Sequence, residues 1–125
     1  DNFLEMIFMI QKDVAEKILN KKNKMNKLSF FINTLSKYNI IFNVSNKVFY
    51  PKPKVQSSII RITPLNTNIN KKELWEFSKL IFKNKRKKIK NVIKFKQTNI
   101  KIEKLIQNRA EDLTNKNLLF LFKNF

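Results

Sequence analysis

The sequence predicts an α/β fold that gives way to an all-helical segment, and three observations predict it. Up to Ile62, short apolar runs bounded by turn residues alternate with amphipathic stretches. A polar, proline-started stretch, PLNTNIN at residues 64–70, then interrupts the pattern. After it only helical spacing recurs, and no segment repeats an earlier one. Leu, Ile, Val and Phe fill 45 of the 125 positions, enough to build a core and well above the roughly 20% at which chains stay disordered.

From Phe3 to Ile10 nearly every residue is apolar, with the carboxylate of Glu5 among them. That suits a buried strand of the parallel-sheet kind, although the first turns of a helix give the same run. Next, Val14, Ile18 and Leu19 fall on one side of an amphipathic helix, with Lys12, Asp13, Glu16 and Lys17 elsewhere. A basic link, Lys21 to Lys27, leads to a second helix, in which Leu28, Phe31, Ile32 and Leu35 recur at helical spacing and suit packing on a sheet. Ile40 to Val44 and Val55 to Ile62 read as strands, the second alternating Val55, Ser57, Ile59 and Arg61 with Gln56, Ser58, Ile60 and Ile62. Between them Pro51 and Pro53 fix φ and exclude helix, so VFYPKPKV is expected to be a stiff, extended loop.

Beyond residue 70 the signals are helical. Asn70 followed by Glu73 marks a start of capping-box type, and Leu74, Phe77, Ile81, Ile89 and Val92 continue the pattern with some irregularity. Leu105 and Ile106 suggest a short helix, and Thr114 caps a last one carrying Leu118, Leu119, Leu121 and Phe122.

Composition bounds the chemistry. With 27 basic and 9 acidic residues the net charge is +18, so a polyanion, either a nucleic acid or an anionic membrane, is the expected partner. No apolar run approaches the roughly 20 residues that span a bilayer, and Asp1 to Ile10 has no basic region ahead of its apolar stretch. A soluble, cytoplasmic protein without a targeting signal is expected. Zero Cys and zero His argue against metal sites and triad-type hydrolysis, and zero Gly leaves no P-loop or dinucleotide loop. Lys, Asn, Ile and Phe make up 70 of 125 residues, all with A/T-rich codons, so codon drift is an alternative source of much of the Lys. The arrangement of the charge is therefore more telling than its total.

The densest charge is Lys83 to Lys96, with eight basic residues in fourteen and no acid. On a helix, Lys83, Lys87, Lys90 and Lys94 fall on one side while Phe82, Ile89 and Ile93 face away, and such a stripe can follow a phosphate backbone. A solvated helix face inflated by drift is the plainer account, and a membrane-surface helix is a third, weakened because its apolar face is needed for packing. In the proline-stiffened loop, Phe49 and Tyr50 offer rings that stack on an extruded base or merely close the sheet edge. Asp13 with Lys17, and Glu111 with Asp112, read as surface or capping charges, and no pair of carboxylates has the spacing of a glycosidase or metal site.

Four stretches, in order and spacing, resemble the carboxy-terminal half of the ribosomal RNA adenine dimethyltransferases: MIQKDVAEKIL, the long run from KLSFFINTL to SSIIRITPL, FKNKRKKIKNVI and RAEDLTNKNLLFL. The most specific is Phe-x-Pro-x-Pro-Lys-Val-x-Ser, here Phe49, Pro51, Pro53, Lys54, Val55 and Ser57; the stretch Gln11 to Ala15 is nearly as good. The resemblance implies S-adenosylmethionine-dependent dimethylation of the exocyclic amine of two adjacent adenines near the 3′ end of small-subunit rRNA. It makes residues 1–63 the carboxy-terminal part of a Rossmann-like methyltransferase domain, 64–70 a linker and 71–125 a small helical rRNA-binding domain. Phe49 then matches the aromatic beside the target adenine, and Lys85, Arg86 and Lys87 match the family's basic run. Asn91 matches the Asn that follows it, and Arg109, Ala110, Glu111 and Leu113 match its last motif.

The family's early acidic Gly-x-Gly loop and its Asn-Leu-Pro-Tyr motif do not occur between Asp1 and Phe125. Asn26 stands where a Gly usually precedes the second helix, and Lys85 replaces an Arg, losing bidentate phosphate geometry. The expectation is a distal portion that needs S-adenosylmethionine only as part of a complete enzyme, binds none of it alone, holds no metal and is inactive by itself. Its expected partner is small-subunit rRNA or the immature small subunit, not a membrane. Phe49 is its target-base residue, and Lys83, Lys85, Arg86, Lys87, Lys88, Lys90 and Lys94 are its RNA contacts. A non-catalytic RNA-binding or ribosome-assembly module, or a gene remnant that never folds stably, would carry the same residues.

Overall fold

A computed structural model of the chain describes residues 4–20 and 24–125. Three strands, β1 (Met6–Gln11), β2 (Ser36–Val44) and β3 (Ser57–Pro64), form one sheet. Helices α1 (Lys12–Leu19) and α2 (Lys27–Leu35) lie between β1 and β2, and α3 (Lys71–Phe82), α4 (Ile100–Leu105) and α5 (Asn115–Lys123) follow β3. The last strand is central: the order is β1-β3-β2, and β3 runs antiparallel to both neighbours.

The period-two pattern of β3 sorts the sheet into two faces. Ile60 is buried with Tyr38, Ala15 and Ile18, and Ile10, Ile32, Ile40 and Ile62 pack around them, so this face lies under α1 and α2. On the other face the register sets Ile7 beside Arg61 and Met9 beside Ile59, and a bulge at Ile41 brings Phe42 opposite Ile59. Ile7, Met9 and Phe42 are about half exposed.

The first strand departs from expectation. Phe3 lies outside the described residues; the remainder is an antiparallel edge strand with Ile7, Phe8 and Met9 exposed, not a buried parallel one. An unbroken apolar run reports that both faces of a strand are apolar, not that anything covers them. Glu5 precedes the strand and pairs at 3.5 Å with Arg61.

Helix α1 ends where Asn20 takes a left-handed conformation (φ 55°) and its N–H returns to the Glu16 carbonyl. Its last carbonyls are answered by α2: Ser29 Oγ and Asn33 Nδ2 both donate to the Ile18 carbonyl, at 2.8 and 2.7 Å, and Asn26 Nδ2 donates to that of Lys17 at 3.1 Å. Asn26 also caps α2 by accepting from the Ser29 N–H at 2.9 Å. The Tyr38 hydroxyl donates to the Ala15 carbonyl at 2.8 Å and ties β2 to α1.

The expectation that the second helix packs on the sheet holds for one side of it. Ile32 touches the sheet cluster, whereas Phe30, fully buried, belongs to a second cluster with Leu74, Phe77, Ile81, Ile102 and Leu118. That cluster is the helical core. Phe77 meets Phe30, Phe122 and Phe125 at ring separations of 6.3, 5.4 and 5.3 Å, tilted or edge to face. Asn70, Asn99 and Thr114 cap α3, α4 and α5 by accepting from the N–H of Glu73, Ile102 and Asn117.

Candidate nucleic-acid interface

The segment from Lys83 onward is not a continuous helix. Helix α3 stops at Phe82; residues 83–87 are turns, with the Lys87 N–H bonded to the Asn84 carbonyl at 2.8 Å, and Ile89–Asn91 form one 3-10 turn. The predicted stripe of Lys83, Lys87, Lys90 and Lys94 along a helix face is therefore corrected. Consecutive like charges repel along a helix, and Asn84 favours a turn.

The segment is nonetheless held firmly. Ile89 and Ile93 are buried in the helical core, and the Ile93 N–H reaches the Ile89 carbonyl at 3.1 Å, one isolated helical turn. The backbone is stitched to the chain beyond α4: Ile89 N–H to Asn108 O at 2.9 Å and Lys90 N–H to Ile106 O at 3.0 Å, with a bridge between Lys88 and Arg109. Lys83, Lys85, Arg86, Lys87, Lys88, Lys90 and Lys94 are all exposed on this frame. Arg109 joins them through the Lys88 bridge, a proximity that sequence spacing did not signal. Cations on a fixed backbone suit phosphate contacts, which position a nucleic acid without reading its bases.

The loop between β2 and β3 carries the aromatic candidate. One 3-10 turn, Asn46–Val48, opens it, so Val48 is helical in the narrow sense, and irregular backbone runs on to Ser57, where the strand expected from Val55 begins. Asn46 Nδ2 donates to the Pro53 carbonyl at 3.3 Å and closes the loop at its neck; the Tyr50–Pro51 peptide is cis. Phe49 is half-buried and belongs to neither apolar cluster, while Tyr50 beside it is fully exposed. Lys47, Lys52 and Lys54 are exposed around them. No hydrogen bond or ion pair among the described residues joins this loop to the basic segment.

The acidic residues of the last motif have an internal role. Glu111 is buried, contrary to a surface or capping charge: its carbonyl accepts from the Met25 N–H at 2.9 Å, and its carboxylate lies 3.5 Å from Lys24 Nζ. Asp112, more exposed, meets the same ammonium at 3.2 Å. The hydrogen bond and charge of Asp112, then Glu111, hold the Lys24 pKa above its ordinary value. Asp13 and Lys17 are exposed, as expected of surface charges.

Among the described residues, the groove beside the sheet, lined by Met6, Phe31, Ile62 and Lys71 among others, has no carboxylate to receive a ribose, and the sequence has no Gly with which to bring its backbone close to a nucleoside. No helix among the described residues is long and apolar enough to cross a membrane.

A sequence profile described as ribosomal RNA adenine dimethylase matches residues 2–123. A ribosomal RNA small subunit methyltransferase A of Borreliella burgdorferi is 40% identical over 99 residues, covering 74% of this chain and 34% of its own. The enzyme of the same name from Mycoplasma mycoides is 36% identical over 99% of this chain and 46% of its own. The chain thus spans a third to a half of the length of these curated relatives. Among solved structures, a dimethyladenosine transferase from Plasmodium falciparum superposes with a TM-score of 0.74 at 20% identity, covering 97% of this chain and 57% of that one. The 23S rRNA methyltransferase ErmE gives 0.60 at 16% identity, over 96% and 54%. The fold is accordingly that of the distal part of a Rossmann-like methyltransferase. By sequence, over nearly its whole length, the chain belongs to the ribosomal RNA adenine dimethylase family.

Proposed function

We propose that this chain is the distal portion of an S-adenosylmethionine-dependent enzyme that dimethylates two adjacent adenines near the 3′ end of small-subunit rRNA, within the immature small subunit in the cytoplasm. The observation that carries the proposal is the pairing, on one small fold, of a basic segment pinned by Ile89 and Ile93 with a proline-stiffened loop whose Phe49 is outside both cores. Lys83, Lys85, Arg86, Lys87, Lys88, Lys90 and Lys94 hold phosphates, and residues 71–125 act as the rRNA-gripping domain. Phe49 stacks on the target adenine once it leaves its helix, so the chain's share of the chemistry is positioning. The cofactor is held by residues outside this chain. The β1 edge is where further strands of the sheet add, and the bare face around Ile7, Met9 and Phe42 is where the segments that accompany them pack.

Calorimetry and reconstitution test this reading. The chain alone is expected to bind a structured rRNA hairpin with steep salt dependence, to give no heat with S-adenosylmethionine, and to support methyl transfer when mixed with the amino-terminal half of a relative. Micromolar cofactor binding by the chain alone would overturn the assignment of that site elsewhere. RNA binding without methyl transfer in the mixture would favour a non-catalytic module.

A further inference from the structure

Between the first turn of α2 and the last turn of α3 lies an open cleft of about 570 Å³, lined by Asn26, Lys27, Leu28, Lys79, Phe82, Lys83 and Lys85. Four of its seven lining residues are cationic and none is acidic. Lys27 Nζ sits 4.9 Å from the centre of the Trp75 ring, whose negative face holds the ammonium in place. Lys79 shares its charge with Glu76 at 2.9 Å, but Lys27, Lys83 and Lys85 have no ion-pair partner among the described residues. Asn26 to Leu28 also bring the positive end of the nine-residue α2 to the cleft.

Gathering like charges at one concave place raises their mutual repulsion, and an anion entering the cleft relieves it. Two of these lysines, Lys83 and Lys85, open the basic segment; the other two come from α2 and α3 and are not part of it. We propose that this α2–α3 cleft is a seat for RNA backbone phosphate, extending the path of the nucleic acid from the basic segment across to Lys27. The inference deepens the rRNA reading above and rests on it. Lys27 is oriented for the contact by Trp75, and Lys83 and Lys85 approach from the opposite wall.

Trp75 is the single tryptophan of the chain, so its fluorescence reports on the ammonium above it. The full chain is titrated with a structured rRNA hairpin and, separately, with inorganic phosphate. RNA is expected to change the Trp75 emission saturably, and Lys27→Gln is expected to abolish that change without altering the melting curve. Lys27→Gln, which leaves the basic segment untouched, should lower the slope of log affinity against log salt by about 0.8, whereas neutralising the exposed Lys37 and Lys116 leaves it nearly unchanged. If wild type binds RNA steeply and Lys27→Gln keeps both the full slope and the Trp75 response, the cleft proposal falls and the rRNA reading stands. If wild type shows no salt-dependent RNA binding, the rRNA reading falls and takes the cleft with it. Saturation by inorganic phosphate that RNA does not compete away makes the cleft a free-anion site and overturns the proposal.

Discussion

Around Phe77, rings from α2, α5 and the carboxy-terminal end close on one another, and caps at Asn70, Asn99 and Thr114 finish the surrounding helices. Around Ile60 only one face of the sheet is covered, and the opposite face leaves Ile7, Met9 and Phe42 half in water. The same chain thus carries a closed core and an open one, joined by α2, whose Phe30 and Ile32 serve one each. The lesson concerns stability: the helical region meets its own needs, while the sheet region leans on α2 and on whatever covers its bare face.

The strongest test of that contrast is Phe77→Ala, which empties the meeting point of the closed core and should cost about 4 kcal/mol in urea unfolding. Ile60→Ala, with a half-open sheet free to relax around it, should cost about 2 kcal/mol; equal losses would break the contrast. Tyr38→Phe comes next, at about 1 kcal/mol near neutral pH, because the Ala15 carbonyl loses its donor. Burial pushes the Tyr38 hydroxyl from an ordinary 10.0 up to about 12. The unfolded chain therefore ionises first, so this contribution is intact below pH 10 and is lost as the pH rises to about 12. Melting temperatures across that window should fall for wild type and be flatter for Tyr38→Phe. Smallest is Phe42→Lys on the bare face: stability should move by less than about 0.5 kcal/mol, while self-association in sedimentation falls.

Much of this was legible in the sequence. The alternation of Ser58, Ile60 and Ile62 with Ile59 and Arg61 reports a local constraint that tertiary structure had no reason to override. Asn70 and Thr114 cap where their side chains suggested, because capping is settled within one turn. The basic segment misled for a physical reason: with eight cations in fourteen residues, almost any period finds lysines, so their spacing carried no information about helix. The spacing of Ile89 and Ile93 was informative, and does mark a helical turn, but only one. The pairing of Lys88 with Arg109, the burial of Glu111 and the gathering of Lys27 with Lys83 are tertiary facts that no local pattern encodes. The RNA-binding role proposed for the basic residues rests first on their clustering, whereas that proposed for Phe49 rests on the resemblance.

Asn20, turned left-handed at the end of α1 in a chain without a single glycine, has a consequence for the unfolded protein. Every residue here carries a Cβ, so the denatured chain explores fewer backbone states than one with flexible turns, and each residue gives up less freedom on folding. The left-handed position is filled instead by the side chain that tolerates it best, at a modest local strain. Asn20→Gly would relieve that strain while loosening the denatured chain, two opposed effects that leave little net change. A chain with one open core thus draws part of its persistence from the narrowness of its disorder.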